Sequence, residues 1–407
     1  MIPFLYNRLM RVGPWLLFVA SLALAQVDIP FWHAMDGPAG REIQAFAREF
    51  NAAQSRYRVL PQYVGDYREA ETRLVAALRT GGAPVLFQAE LSFFPRLVGE
   101  GRALALDPYL NLERAFLEDL FEPAWAYGVV EGRRYGLPFN TSTPVLFYNL
   151  DAFRAKGLKP PKDWKEFERV ALALTSRNAR GFIFVTDPQA WLFEAMVTSR
   201  GGSLVKDGRP NFTAPEALEA LRMLKRLQDR GALSARSMAE STFAQLDFVR
   251  TKGMMVMASI ANWPAAENYS FAFTLGVAPV PREPGGKVPM GGAQLVVLRG
   301  ATEAQVQGAI AFWRHLMEPE NVVRWVQASY YVPVRKSALP LLEGFYRENP
   351  FRKVAFEQIA FAQERPRLPQ FSTWASFLAE ALEKALKGGL APERALEEAQ
   401  RKAEAVR

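Results

Sequence analysis

The chain has 407 residues, of which 49% are hydrophobic, with a formal net charge of +8 and no cysteine. That length leaves room for two domains, and the missing thiols exclude disulfides, thiolate metal sites and a cysteine-linked lipid anchor. Two histidines in all exclude a histidine-rich metal centre, and His33 and His315 each read as ordinary surface or loop residues.

The first 25 residues carry Arg8 and Arg11, an apolar run from Trp15 to Leu24 and the small-residue end Ala23-Leu24-Ala25. This is the layout of a cleavable secretory signal, because the run is far short of the roughly 20 apolar residues a membrane span needs. Its removal takes away two arginines and leaves +6. The pI near 9.6 comes from basic residues interspersed among 42 acids without a dense tract, so nucleic acid is not an expected partner. A mild positive charge still favours the approach of an anionic ligand.

In chain order, Val27 to Trp32 reads as a strand, and Gly37 to Gly40 opens a helix with Ile43, Phe46, Ala47 and Phe50 on one face. Tyr57 to Val64 is a second strand. Tyr67 to Thr80 is a helix ended by Gly81-Gly82, and Pro84 to Gln88 is a continuous apolar strand. Such a β-α-β-α-β run predicts a parallel sheet with ligands beyond the carboxyl ends of its strands. The loops there hold Trp32-His33, Gly65-Asp66-Tyr67 and Ala89-Glu90.

Between Tyr135 and Asn149, Pro138 and Pro144 bracket Asn140, Thr141, Ser142 and Thr143 directly before the apolar strand Val145 to Tyr148. The prolines fix φ and favour extended neighbours, while the polar groups between them need partners, as expected where a chain crosses between two lobes beside a ligand. A second α/β lobe follows. It holds helices at Asp151–Ala155 and Trp164–Leu174, a strand at Gly181–Val185, helices around Trp191–Thr198, Pro215–Arg230 and Ser241–Thr251, and a strand at Met254–Ala258. Met290 to Leu298 reads as a second crossing, and Tyr330 to Val334 as a third. Helices at Thr302–Met317, Glu320–Ala328, within 340–365, at Thr373–Leu386 and after Pro392 complete the chain. No internal repeat or low-complexity linker interrupts it.

No phosphate loop, dinucleotide fingerprint or nucleophile elbow is present, so catalysis has no motif to rest on, although paired carboxylates leave no fixed spacing to search for. The three Asn-x-Ser/Thr triplets at Asn140, Asn211 and Asn268 read as chance. What remains is binding chemistry. Ser142, Ser259 and the bare backbone of Gly291-Gly292 can donate to an anionic oxygen, Glu90 can accept from vicinal hydroxyls, and Trp32, Trp191, Tyr67 and Tyr331 can stack on a carbon skeleton.

In these residues the sequence resembles the extracellular solute-binding proteins of ABC importers, above all their glycerol-3-phosphate-binding members. The segments that carry it are Ile29–Met35, Tyr63–Tyr67, Arg79–Pro84, Pro138–Asn149, Gly291–Ala293 and Tyr331–Pro333, with 138–149 the most specific. The resemblance implies an α/β, two-lobed periplasmic-binding-protein fold of type II, each lobe a mainly parallel sheet flanked by helices, closing over its ligand. One lobe would comprise 26–139 plus 291–331 and the other 140–290 plus 332–407. It further implies that Tyr67, Ser142, Ser259, Gly292 and Tyr331 hold a phosphate, and that Glu90 and Trp191 hold a glycerol, with the chain one residue shorter before Glu90.

Two departures stand out. Where the family carries a phosphate-binding arginine, this chain has Phe371-Ser372-Thr373-Trp374-Ala375, which leaves Trp374 as a candidate contact and Arg365 or Arg367 as substitutes. The family's second cleft tryptophan is replaced by Pro188. A phosphate monoester approaches a dianion and favours a bidentate guanidinium, whereas a diester carries one charge. The expectation is therefore a monomeric, periplasmic or extracellular, non-enzymatic carrier without cofactor. It would pass glycerol-3-phosphate or, in preference, a glycerophosphodiester to the permease subunits of an ABC importer. An oligosaccharide carrier and a secreted glycosidase or phosphodiesterase are the alternatives.

Overall fold

The computed structural model describes residues 26–187, 189–269 and 272–406; the expected export signal at 1–25 and Pro188 lie outside them. The first sheet has five strands in the order Tyr57–Tyr63, Val27–His33, Leu86–Glu90, Gly291–Val297, Gly136–Ser142. Its first three strands run parallel, and Gly291–Val297 is antiparallel to both its neighbours. Pro61, which has no N–H for a ladder, sits in the edge strand, where its absence costs least.

Local chemistry explains the crossover helices. Helix Gly37–Ala53 buries Ile43, Phe46, Ala47 and Phe50. Helix Tyr67–Thr80 starts with a reciprocal capping box between Asp66 and Glu69 and stops at Gly81, whose φ of 80° is left-handed. The strand expected at Pro84–Gln88 lies instead at Leu86–Glu90, because Gly291–Val297 extends its ladder to the pair Ala293 and Glu90. Glu90 is therefore held on a strand end rather than in a loop.

The second sheet also has five strands, in the order Leu233–Ser237, Phe182–Thr186, Met255–Ser259, Pro144–Asn149, Leu275–Pro279. Helices Trp164–Leu174, Pro215–Asp229, Phe371–Leu386 and Pro392–Glu404 cover one face around Phe182, Leu221, Met257 and Leu378. The other face packs Val145, Phe147, Ile183 and Trp263. Val334, Ala338, Leu342 and Tyr346, from the C-terminal segment expected with the second lobe, pack into the core of the first sheet.

One residue separates the sheets at the main crossing: Ser142 ends a strand of the first and Pro144 begins a strand of the second. Thr143 between them is buried, donating through Oγ1 to the Ala355 carbonyl at 3.2 Å and accepting from Gln358 Nε2 at 2.9 Å. The chain returns at Gly291, and Val332 N donates to the Thr141 carbonyl at 2.9 Å where it passes a third time. No helix among the described residues is long and apolar enough to cross a membrane.

His33, expected at the surface, is 1% exposed at the end of the first strand, because the alternation that buries Ile29 and Phe31 continues to it. Its Nδ1 accepts from Met35 N, and Nε2 has no partner. Burial lowers its pKa from 6.5 to about 4. The folded state thus resists a proton that the unfolded chain accepts, so this contribution is complete above pH 6.5 and is lost as pH falls toward 4, by about 3 kcal/mol. Urea unfolding from pH 7 to pH 5 should show the decline, and His33→Gln should flatten it; equal slopes would refute the assignment.

Candidate ligand-binding cleft

A cleft of about 980 Å³ draws its walls from both sheets. Tyr67, Glu90, Gly292 and Tyr331 come from the side of the first sheet, Trp191 and Ser259 from the second, and Ser142 from the crossing. Seven of the nine expected contacts therefore meet in one place.

The hydroxyl of Tyr67 is aimed by a relay of amides. Ala34 N donates to Gln88 Oε1 at 2.9 Å, which fixes the orientation of that amide; Gln88 Nε2 then donates to Asn140 Oδ1 at 2.8 Å. Asn140 Nδ2 in turn donates to Tyr67 Oη at 2.9 Å. Because Tyr67 Oη accepts from Asn140, its own proton is directed to Tyr331 or to a ligand. Burial raises the pKa of both phenols, so they remain protonated donors. Tyr331 is braced by Trp325, with ring centroids 5.8 Å apart and planes 5° from parallel.

Backbone approach explains the two glycines. Gly292 has φ of +109°, and a Cβ there would stand 1.9 Å from the Asn140 carbonyl oxygen, beside a register shift between Ala293 and Gln294. A Cβ on Gly291 would stand 2.5 Å from Trp191 Cζ2 and 2.7 Å from Ser142 Oγ. The indole therefore lies against bare backbone, and its Nε1 donates to the carbonyls of Pro289 and Met290 at 3.3 and 3.2 Å.

Beside this wall sits a buried charge cluster. Arg365 is 1% exposed; its Nη1 donates to Glu90 Oε1 at 2.9 Å, its Nε to Glu194 Oε2 at 2.8 Å, and its Nη2 to the Gln189 carbonyl at 2.8 Å. Glu90 Oε2 also accepts from Ser92 N at 2.8 Å and from the Ser92 hydroxyl. The short strand Ala362–Gln363, paired with Val288–Pro289, places Arg365 there by tying the chain beside the second crossing. Burial alone would lower the arginine's pKa, but Glu194 and Glu90 outweigh it and hold the charge. Burial also raises the pKa values of Glu194 and Asp187. Asp187 caps helix Trp191–Thr198, accepting from Trp191 N at 2.8 Å and Leu192 N at 3.0 Å.

Four carboxyl groups, those of Glu90, Glu194, Asp187 and Glu71, thus share one guanidinium already committed to two of them. Arg250, which is exposed, is the one basic side chain among the described residues lining the cleft. Arg367 is not available either: it donates to the Val129 carbonyl at 2.6 Å and pairs with Glu364. No group of three or more side chains suited to hold a metal ion occurs among the described residues.

Two expected contacts lie elsewhere. Trp374 is 4% exposed and packs into the core of the second lobe, because Phe371, Trp374, Ala375 and Leu378 form the buried face of its helix. Trp32 alternates with Phe31 along the first strand and packs with Val64 and Phe87 on the opposite face of the sheet. Asp187 and Glu194 were not among the expected contacts; Asn140 lies within the bracketed polar segment, and Arg365, expected as a substitute for the family's arginine, is instead engaged by Glu90 and Glu194.

Replacing Arg365 with methionine should leave Glu90 and Glu194 buried without a counter-charge and destabilise the fold by about 3–5 kcal/mol. Denaturant unfolding without ligand measures this, and a loss under about 1 kcal/mol would show that the cluster is solvated.

Over 369 residues the chain is 29% identical to the sn-glycerol-3-phosphate-binding periplasmic protein UgpB of Escherichia coli K12, covering 85% of this chain and 83% of that one. Its fold is similar to that of UgpB from Mycobacterium tuberculosis, solved in complex with glycerophosphocholine, with a TM-score of 0.84 and 21% identity over 93% of this chain and 97% of that one. The GacH receptor of Streptomyces glaucescens, solved unliganded and with acarbose, superimposes with a TM-score of 0.82 and 22% identity, again over 93% and 97%. Residues 45–352 match the family described as bacterial extracellular solute-binding proteins, and the chain, with its two-lobed α/β fold, belongs to that family.

Proposed function

We propose that this ABC-transporter solute-binding protein captures a glycerophosphodiester in the cleft, outside the cytoplasmic membrane, and delivers it unchanged to the permease. The commitment of Arg365 to Glu90 and Glu194 carries the reading. A dianionic monoester favours a buried bidentate guanidinium to offset its second charge; Arg250, the basic side chain lining the cleft among the described residues, is exposed, and the wall beside Arg365 offers hydroxyls and backbone N–H groups instead. A diester, with one charge, suits Tyr67, Tyr331, Ser142, Ser259 and Gly292 as its donors.

The glycerol end would lie on the Trp191 indole, with its vicinal hydroxyls donating to Glu90, whose position is set by Arg365 and Ser92. Two of the three named relatives support a glycerol-phosphate head, one named for binding sn-glycerol-3-phosphate and one crystallised with glycerophosphocholine, while the GacH receptor was solved with acarbose. Binding across both lobes would favour the closed form, because only there do all these groups reach the ligand together.

Calorimetry separates this reading from its neighbours. Glycerophosphodiesters should bind at least tenfold more tightly than glycerol-3-phosphate, a difference of about 1.4 kcal/mol. The reverse order would refute the preference for a diester, and affinity for neutral oligosaccharides alone would refute the phosphate head.

Glu90→Gln removes one negative charge beside Arg365 and the ionised acceptor for the diol. Diester affinity should fall by about 1–3 kcal/mol. Monoester affinity should fall less, because the guanidinium is then half released. Equal losses for both ligands would remove charge balance as the source of selectivity.

A further inference from the structure

Beyond the polar wall, the cleft continues between strand Met255–Ser259 and helix Ser241–Val249. That strand is third of five in its sheet. Met255 and Met257 on one face are fully packed, at 0% and 2% exposure, whereas Val256 and Ala258 on the other are only half-buried and line the cleft. Val185, on the neighbouring strand, is likewise half-buried and lines it, as do Phe147 and the helix residues Ala244 and Phe248, while the same helix and its C-cap bring the exposed Thr242, Gln245 and Arg250 to the cleft.

A central strand whose second apolar face is only partly covered, as at Val256 and Ala258, is unusual, because protein interiors pack to crystal density and unfilled apolar space costs stability. Here the covering helix presents Ala244 where a larger side chain would fill the space. The polar wall and this annex share a strand: Ser259 is a donor proposed above, and Val256 lies three residues back, roughly 10 Å at strand rise.

We infer that the annex is the subsite for the second alcohol of the ligand, and that this alcohol is an uncharged aliphatic or aromatic group. The inference rests on the diester reading for the polar head alone. The phosphate would stay at Ser142, Ser259 and Gly292 while its apolar substituent runs back along the strand over Ala258 and Val256. Phe147 and Phe248 complete the apolar walls.

The test is calorimetry on the full mature chain with glycerophospho-ethanol, -butanol and -hexanol, glycerophosphocholine, and n-alkyl glucosides of matching length. Each added methylene should raise affinity about fourfold, from the ~0.8 kcal/mol of burying a CH₂. Ala258→Leu should abolish this dependence by filling the annex. Ala244→Leu should do the same from the helix side, and the wild-type series decides alone if either variant fails to fold.

Diesters that bind with no gain from chain length would overturn the inference and leave the proposed function standing. Glycerophosphocholine binding more tightly than the butyl diester would overturn it in favour of a cation site. If no diester binds, the proposed function fails, and the glucosides judge the annex: rising affinity with length supports an apolar subsite, and a flat series refutes it.

Discussion

The electrostatics of the cleft depend on one buried arginine held by two carboxylates. Glu90 ends a strand of the first sheet and Glu194 lies on a helix beside the second, so Arg365 joins the two walls through charge. Removing a guanidinium and two carboxylates from water is costly, and the cost is met only when each charge has close partners. Arg365 meets it with two carboxylates and a carbonyl. Because its Nε and both terminal nitrogens are engaged in those bonds, under the proposed reading the arginine would shape the ligand preference without being free to clasp a dianion.

The phenols of the cleft are instead aimed by neutral groups. The relay from Ala34 through Gln88 and Asn140 to Tyr67 leaves each amide one orientation, and Trp325 stacks behind Tyr331. Little rotational freedom would remain to be lost on binding the proposed anion, which would favour affinity without a formal positive charge. Gly292 contributes by bringing backbone where a side chain would collide with Asn140.

Most of this was legible in sequence where local rules decide it. The alternation of Ile29 and Phe31, the capping pair Asp66 and Glu69, and the proline-bracketed crossing all reflect contacts within a few residues, and the parallel sheet follows from them. What failed depended on distant partners. Glu90 moved onto a strand because residues 200 positions later extend its ladder. His33 is the exception, since the alternation that buries Ile29 and Phe31 continues to it. Trp374 looked available until its helix face was set by the core beneath it, and Arg365 acquired its role only when Ala362–Gln363 paired with Val288–Pro289.

Ser142 is the last residue of one sheet and Pro144 the first of the other, with Thr143 pinned between them by Ala355 and Gln358. A rotation of one sheet against the other about this point would carry distant groups such as Trp191 through wide arcs but barely displace the Ser142 hydroxyl. The serine would then be the fixed centre of such a motion. Under the proposed binding mode a solute engaged there would keep one anchor while the rest of its shell assembled or dispersed, which would make capture and release matters of the outer contacts alone.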